Sequence, residues 1–109
     1  MTVKELCEKM ELTVVTLPDG DREIGGAYAC DLLSWVMGRA KADDVWITIM
    51  SNSNIVAVAS LADTASILLA EGVLLDENVR SIAEAKGVNV LSSAKPTYEL
   101  ASELSSFLK

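Results

Sequence analysis

Apolar and polar positions along the chain follow two periods, which predict helices and strands in alternation. Val45–Ile49 carries only β-branched and aromatic residues and is the clearest strand. Asp76–Lys86 and Thr97–Leu108 repeat apolar residues at helical spacing and predict amphipathic helices. The same patterns predict strands at Leu12–Thr16, Ile24–Ala29, Ser66–Leu69 and Val88–Leu91, and helices at Val3–Met10 and Leu32–Ala40.

The segment Asn54–Ala62 fits either a strand or a helix, because it is apolar and contains β-branched residues. Topology favours a helix. Joining Val45–Ile49 in parallel to the next strand, Ser66–Leu69, takes a crossover of about a dozen residues, which is usually helical. The resulting order, α-β-β-α-β-α-β-α-β-α, predicts an α/β three-layer sandwich with a mostly parallel five-stranded sheet. With 109 residues, the chain is expected to form a single domain, 1–109.

Charge and composition narrow the possible functions. The net charge is −7 and the nine basic residues are scattered, so no basic stripe favours nucleic-acid binding. Histidine is absent, which removes the commonest general base and metal ligand. Cys7 and Cys30 form no CxxC pair and are expected to be reduced thiols. No apolar run approaches the ~20 residues that span a bilayer, and the first ten residues lack a signal-peptide core, so a cytoplasmic location without membrane contact is expected.

Ligands of parallel α/β sheets bind outside the carboxyl ends of the strands, and Asp31 and Ser51–Asn54 follow two such ends. Ser51, Asn52, Ser53 and Asn54 open a predicted helix, where they either hold an anion or only cap the helix. Asp31 is the predicted N-cap of the helix Leu32–Ala40. A second candidate is the pair Gly25-Gly26, which either lets a ligand approach the backbone or forms a strand-entry turn.

The acidic residues do not predict a metal site. Asp43 and Asp44 precede a strand and therefore lie at the opposite edge of the sheet from Asp31 and Glu71. Solvated carboxylates account for these residues better than one cation cluster does. We therefore expect no metal and no cofactor.

The helix Leu32–Ala40 carries an aromatic residue off its predicted core face. Leu32, Leu33, Val36, Met37 and Ala40 share one arc of about 140°, and Trp35 lies outside it. Trp35 therefore either packs under a loop or belongs to an interface. The helix Asn54–Ala62 is apolar almost all round, and Ile55 and Val58 lie on it. The predicted assembly is a homodimer with Trp35, Ile55 and Val58 as candidate interface residues.

Several segments spread over nearly the whole chain match one known sequence pattern. They are Asp21–Glu23 (DRE), Tyr28–Met37 with DLLS at Asp31–Ser34, Val45–Ile49 (VWITI), Asn54–Leu61 (NIVAVASL), Glu71-Gly72 and Leu91–Ser93 (LSS). In these segments the chain resembles the DRTGG domain family. The chain departs from the family pattern at two places. Gly25-Gly26-Ala27 stands where the family has Thr-Gly-Gly, and Asn52 stands where a histidine is often found.

The resemblance implies a fold like the amino-terminal domain of HPr kinase/phosphorylase. It also implies a regulatory or dimerising role, since family members accompany CBS domains in regulated pyrophosphatases and occur within phosphate acetyltransferases. Stand-alone members resemble proteins encoded beside hydrogenase and serine-kinase genes in anaerobic bacteria. The expected function is therefore a non-enzymatic regulatory or interaction module that docks to, or senses for, a larger metabolic or redox system. The alternative is a domain that binds a nucleotide or another anionic metabolite.

Overall fold

The computed structural model describes residues 1–108 as five helices and five strands in the predicted order. The helices are α1 (Val3–Lys9), α2 (Leu33–Arg39), α3 (Asn54–Ala62), α4 (Glu77–Ala85) and α5 (Thr97–Phe107). The strands are β1 (Thr13–Thr16), β2 (Gly26–Ala29), β3 (Asp44–Thr48), β4 (Ser66–Leu69) and β5 (Val90–Ser92). The ambiguous segment Asn54–Ala62 is helical, as the crossover argument predicts. No helix within the described range is long and apolar enough to cross a lipid bilayer.

The strands form one mixed, mostly parallel sheet in the order β1-β5-β4-β3-β2. Only β1 runs antiparallel to its neighbour, β5. β2 and β3 pair in an unbroken parallel register from Gly26 opposite Asp44 to Ala29 opposite Ile47. The register of β1 shifts between Val14 and Thr16. The two edges of the sheet are therefore β1, which is irregular, and β2, which is regular.

Helices cover both faces of the sheet and produce two separate cores, which confirms the three-layer arrangement. On one face α1 and α5 pack on alternate strand residues, and on the other face α2, α3 and α4 pack on the residues between them. In β3, for example, Ile47 belongs to the first core and Trp46 to the second. This division follows from the period of two along a strand. Other sheet residues of the first core are Val45, Leu68 and Leu91, and of the second Ile67, Leu69 and Val90.

Side chains cap two of the helix starts, and one predicted cap is absent. Thr2 and Glu5 form a capping box at α1. Asp76 accepts a hydrogen bond from the backbone N–H of Val79 at the start of α4. The prediction that Asp31 caps α2 is wrong, because the N-cap is Leu32 and no side chain caps that helix. The Asp31 carboxylate binds the end of β3 instead.

The predicted core face of α2 is only partly correct. Val36 is fully buried, but Leu32 and Met37 are 54% and 42% exposed. α2 follows β2, which is an edge strand, so the sheet does not extend past this helix. Much of the apolar surface of α2 therefore has no strand to pack against and is exposed to solvent.

The apolar helix α3 is covered within the chain, contrary to the expectation that it needs a second copy to bury it. Ile55 and Val58 are 0% and 9% exposed and belong to the second core. The outward positions are Ala57, Ser60 and Leu61, of which only Leu61 is large. Their burial inside the chain argues against Ile55 and Val58 as residues of a dimer interface. The exposed apolar surface of α2 then remains as the candidate interface.

Candidate functional site

Asp31 fastens the carboxyl ends of two neighbouring strands to each other. Its Oδ1 accepts hydrogen bonds from the hydroxyl of Thr48 at 2.8 Å and from the backbone N–H of Ile49 at 2.9 Å. The hydroxyl oxygen of Thr48 in turn accepts from the N–H of Met50 at 3.1 Å. The carboxylate predicted to cap a helix therefore shapes the turn that leads to Ser51.

The turn Ser51–Asn54 is exposed and supplies one side-chain cap to α3. Asn52 Oδ1 accepts a hydrogen bond from the backbone N–H of Asn54 at 2.9 Å. The next two N–H groups donate to the backbone carbonyls of Asn52 and Ser53 at 3.3 and 3.2 Å. The hydroxyls of Ser51 and Ser53 have no hydrogen-bond partner among residues 1–108. The helix start is thus already hydrogen-bonded, and only these hydroxyls are left to face a ligand.

The glycine pair lies at the other end of the sheet. Gly25 donates its N–H to the carbonyl of Asp43 at 2.9 Å, and Gly26 pairs with Asp44 at the start of β3. A Cβ at Gly26 would lie 2.9 Å from Asp44 Oδ1. Gly26 therefore makes room for the carboxylate of Asp44, which supports the strand-entry interpretation.

The structure does not gather the candidate residues into one site. Asp31 and Ser51–Asn54 share the carboxyl edge of the parallel strands, whereas Gly25 and Gly26 lie at the amino edge. Asp31 follows Gly26 by five positions, a distance of roughly 16 Å at the usual rise per residue of extended chain. The helix start and the glycine pair are therefore two separate candidate sites.

An arginine network that the sequence did not reveal holds the amino edge together. Arg22 donates to Asp43 Oδ1 from Nε at 3.1 Å and from Nη2 at 2.9 Å. Nη2 also donates to the carbonyl and to Oδ1 of Asp63, at 2.7 and 2.8 Å. Partial burial disfavours the charge of Arg22, but the bonds to Asp63 and Asp43 outweigh it and raise the pKa of the guanidinium. Arg22 thus joins two loops.

Glu71, another candidate carboxylate, has a structural partner. Its Oε2 accepts a hydrogen bond from the backbone N–H of Thr97 at 2.8 Å, so it caps the start of α5 from a neighbouring loop. Within residues 1–108, no three His, Cys, Asp or Glu side chains converge on a point that could hold a metal ion.

Two grooves run along the edge strand β2, one on each face. The larger, of about 420 Å³, lies between β2 and α5, and its lining includes Ala27, Ala29, Leu104 and Leu108. The smaller, of about 370 Å³, is polar and lies on the α2 side. It is lined by Gly25, Gly26, Ala27, Tyr28, Arg39, Lys41 and Asp44. Both faces of β2 are therefore incompletely covered.

Aromatic and cationic side chains form a surface cluster beside β2. The guanidinium of Arg39 lies 3.8 Å from the ring centroid of Trp35, a cation–π contact, and Trp35 remains 48% exposed. Desolvation and a hydrogen bond to Cys30 raise the pKa of Tyr28, while Arg39 acts in the opposite direction. Trp35 is thus not packed under a loop, which was one of its two predicted environments. It is a half-exposed ring joined through Arg39 to the strand edge.

The sequence held a signal for these grooves. Apart from Tyr28, β2 carries only the small residues Gly26, Ala27 and Ala29, and small residues in a strand indicate that something else approaches closely. That signal becomes specific only once β2 is known to be an edge strand.

Comparisons with known proteins support one family. The family model of the DRTGG domain matches residues 26–107. No curated protein matches the chain. The fold is similar to the crystal structure of the CBS and DRTGG domains of the regulatory region of Clostridium perfringens pyrophosphatase complexed with activator, diadenosine tetraphosphate.

That similarity has a TM-score of 0.71 at 10% sequence identity, so it bears on the fold alone. It covers 94% of this chain and 45% of the pyrophosphatase region, and the chain therefore spans under half of that structure. Together with the family match over most of the sequence, it confirms the resemblance drawn from the sequence segments. The chain belongs to the DRTGG domain family.

Proposed function

We propose that this chain is a non-enzymatic regulatory and interaction module that works as a homodimer. The observation that carries the proposal is the apolar surface at the start of α2. Leu32 and Trp35 are 54% and 48% exposed, lie three residues apart and therefore share one side of the helix. Exposed aromatic residues beside an arginine are the composition typical of interface centres.

Several features favour binding over catalysis. Asp31, Glu71, Asp43 and Asp63, four carboxylates at the sheet edges, each hold a backbone group or Arg22. Carboxylates occupied in this way serve the fold rather than proton transfer. The DRTGG domain also belongs to the regulatory region of the pyrophosphatase described above.

Sedimentation or light scattering at micromolar concentration tests the assembly. We expect about twice the chain mass of 11.6 kDa for the natural sequence. Trp35→Asp should weaken the dimer, because a charge replaces a half-exposed ring. Tyr98→Asp is the matched control, since Tyr98 is an exposed aromatic residue on α5. A monomer for the natural sequence would refute the dimer, and equal behaviour of the two variants would remove Trp35 from the interface.

A second candidate function is the binding of a nucleotide or another anionic metabolite. It is favoured by the activator complex of the related pyrophosphatase region and by the free hydroxyls of Ser51 and Ser53. A ligand that binds only the folded chain raises its stability by ~2.7 kcal/mol at a hundredfold excess over Kd. Melting curves with diadenosine tetraphosphate, ATP, AMP and phosphate would detect it.

The serine hydroxyls can be tested in the same assay. Replacing Ser51 and Ser53 by alanine should abolish any ligand-induced shift, while Ser102→Ala, an exposed serine on α5, should leave it unchanged. If none of the four compounds shifts the melting curve, the turn only begins the helix.

A further inference from the structure

We propose that two copies of the chain join along β2, so that one continuous sheet crosses the dimer. This inference rests on the proposed homodimer and specifies its contact. β2 is an edge strand in regular register with β3, without proline, charged residue or bulge. Natural proteins usually protect exposed edges with such features, and an unprotected edge pairs with another strand. The opposite edge, β1, has an irregular register and therefore a poorer pairing surface.

The hydrogen-bonding pattern fixes the register of the pairing. Cys30, just after β2, donates its N–H to the carbonyl of Ile47 on β3 at 3.2 Å. Since backbone direction alternates along a strand, Gly26 and Tyr28 also turn their N–H and C=O groups toward β3, and Ala27 and Ala29 turn theirs away from the sheet. Two copies related by a twofold axis at Ala27 then exchange both backbone hydrogen bonds between Ala27 and the partner's Ala27. The same register places Gly26 opposite the partner's Tyr28.

Side-chain sizes suit this register. Gly26 and Tyr28 lie on the α2 face of the sheet, where Tyr28 packs against the second core and the groove of about 370 Å³ opens beside Gly26. The pairing places the ring of Tyr28 from one copy beside the glycine of the other. The large side chain of Tyr28 thus lies opposite Gly26, which has no side chain. On the opposite face, Ala27 meets the partner's Ala27, and these small side chains do not clash.

The exposed surface of α2 is continuous with the strand edge. Arg39 has no carboxylate partner among residues 1–108 and lines the groove on the α2 face together with Gly26 and Tyr28. Trp35, stacked on Arg39, therefore borders the contact.

A charge-reversal experiment at Ala27 tests the axis directly. Ala27 is exposed, and the proposed register puts it opposite itself, so Ala27→Lys and Ala27→Glu should each weaken the dimer roughly tenfold by like-charge repulsion. An equimolar mixture of the two variants should recover dimers, because lysine then faces glutamate. Recovery on mixing also shows that both variants are folded. Val14→Lys, at an exposed position on β1, is the control and should leave the dimer intact.

The outcomes separate this inference from the proposed function. Loss of the dimer in each Ala27 variant and recovery on mixing support pairing along β2. A dimer that survives Ala27→Lys but is lost in Trp35→Asp overturns pairing along β2, while the homodimer built on α2 stands. A monomeric natural chain overturns both.

Discussion

Asp31 and Thr48 are joined side chain to side chain at the ends of adjacent parallel strands. The Thr48 hydroxyl donates to Asp31 Oδ1 at 2.8 Å, and the same oxygen accepts the N–H of Ile49 at 2.9 Å. Asp31 therefore joins the two strand ends and does not cap α2. It also sets the direction in which the chain leaves β3 toward the turn Ser51–Asn54. Binding of an anionic ligand at this turn is the second proposed function.

The first prediction concerns this contact. Asp31→Ala should lower the free energy of unfolding by ~1–2 kcal/mol, because it removes two charge-assisted hydrogen bonds at a partly exposed site. Urea unfolding followed by circular dichroism measures the loss. Asp21→Ala is the control, since Asp21 is exposed and should cost less than ~0.5 kcal/mol. Combining Asp31→Ala with Thr48→Val should cost less than the sum of the two, and strict additivity would contradict the coupling.

Local patterns were sufficient to predict the order of the elements. The strand Val45–Ile49 and the helix Asn54–Ala62 illustrate why. The first has an unmistakable β composition, and the second follows from the length of crossover that a parallel pair requires. Both arguments depend on residues close together in sequence.

The site could not be predicted in the same way, because its contacts join residues far apart in sequence. Arg22 meets Asp43 and Asp63 across 21 and 41 positions. The exposure of β2 depends on the strand order β1-β5-β4-β3-β2, which no local pattern specifies. The wrong cap at Asp31 has the same origin: an aspartate before a helix usually caps it, but here Thr48 on the neighbouring strand binds its carboxylate.

The second prediction compares two glycines. Gly26→Ala should destabilise the chain by ~1–2 kcal/mol, because the added Cβ would lie 2.9 Å from Asp44 Oδ1. Asp44 is 7% exposed and its other oxygen accepts the N–H of Lys41, so it cannot easily move away. Gly38→Ala, in α2 with no atom within 4 Å of the new Cβ, should instead stabilise by ~0.5–1 kcal/mol. Thermal melting of both variants checks the opposite signs, and a neutral Gly26→Ala would contradict the close approach.

The third prediction concerns acid stability. Hydrogen bonds with the backbone N–H and with the side chain of Thr2 lower the pKa of Glu5 below its ordinary value of 4.5. A carboxylate with a lowered pKa stabilises the fold at pH values above its unfolded pKa, and this contribution disappears as the pH falls through the folded value. Glu5→Gln should therefore lower the urea midpoint at pH 7, and the difference from the natural chain should shrink at pH 3.

The control for this pH effect lies on the same helix. Glu8 is exposed and is absent from the capping box, so Glu8→Gln should leave the urea midpoint almost unchanged at pH 7. A Glu5→Gln effect of equal size at both pH values would mean that the charge of Glu5 does not contribute to the cap.

The last prediction compares two arginines that each contact two carboxylates. Arg22 joins Asp43 and Asp63, which lie in separate loops, both with left-handed backbone (φ 70° and 59°). Arg80 binds Glu77 and Glu84 within the single helix α4. Arg22→Met should cost ~2 kcal/mol, because it leaves a partly buried carboxylate and a loop carbonyl without a donor.

Arg80→Met should cost only ~0.5 kcal/mol, the usual value for exposed pairs on one helix. Arg22→Lys should recover less than half of the loss, because a single ammonium cannot reproduce the fork that reaches both loops. Denaturant unfolding measures all three variants. Equal costs for Arg22→Met and Arg80→Met would contradict the idea that Arg22 joins the loops. A selective loss at Arg22 would assign the arginine of the Asp-Arg motif to the stability of the amino edge, next to the strand proposed to form the dimer.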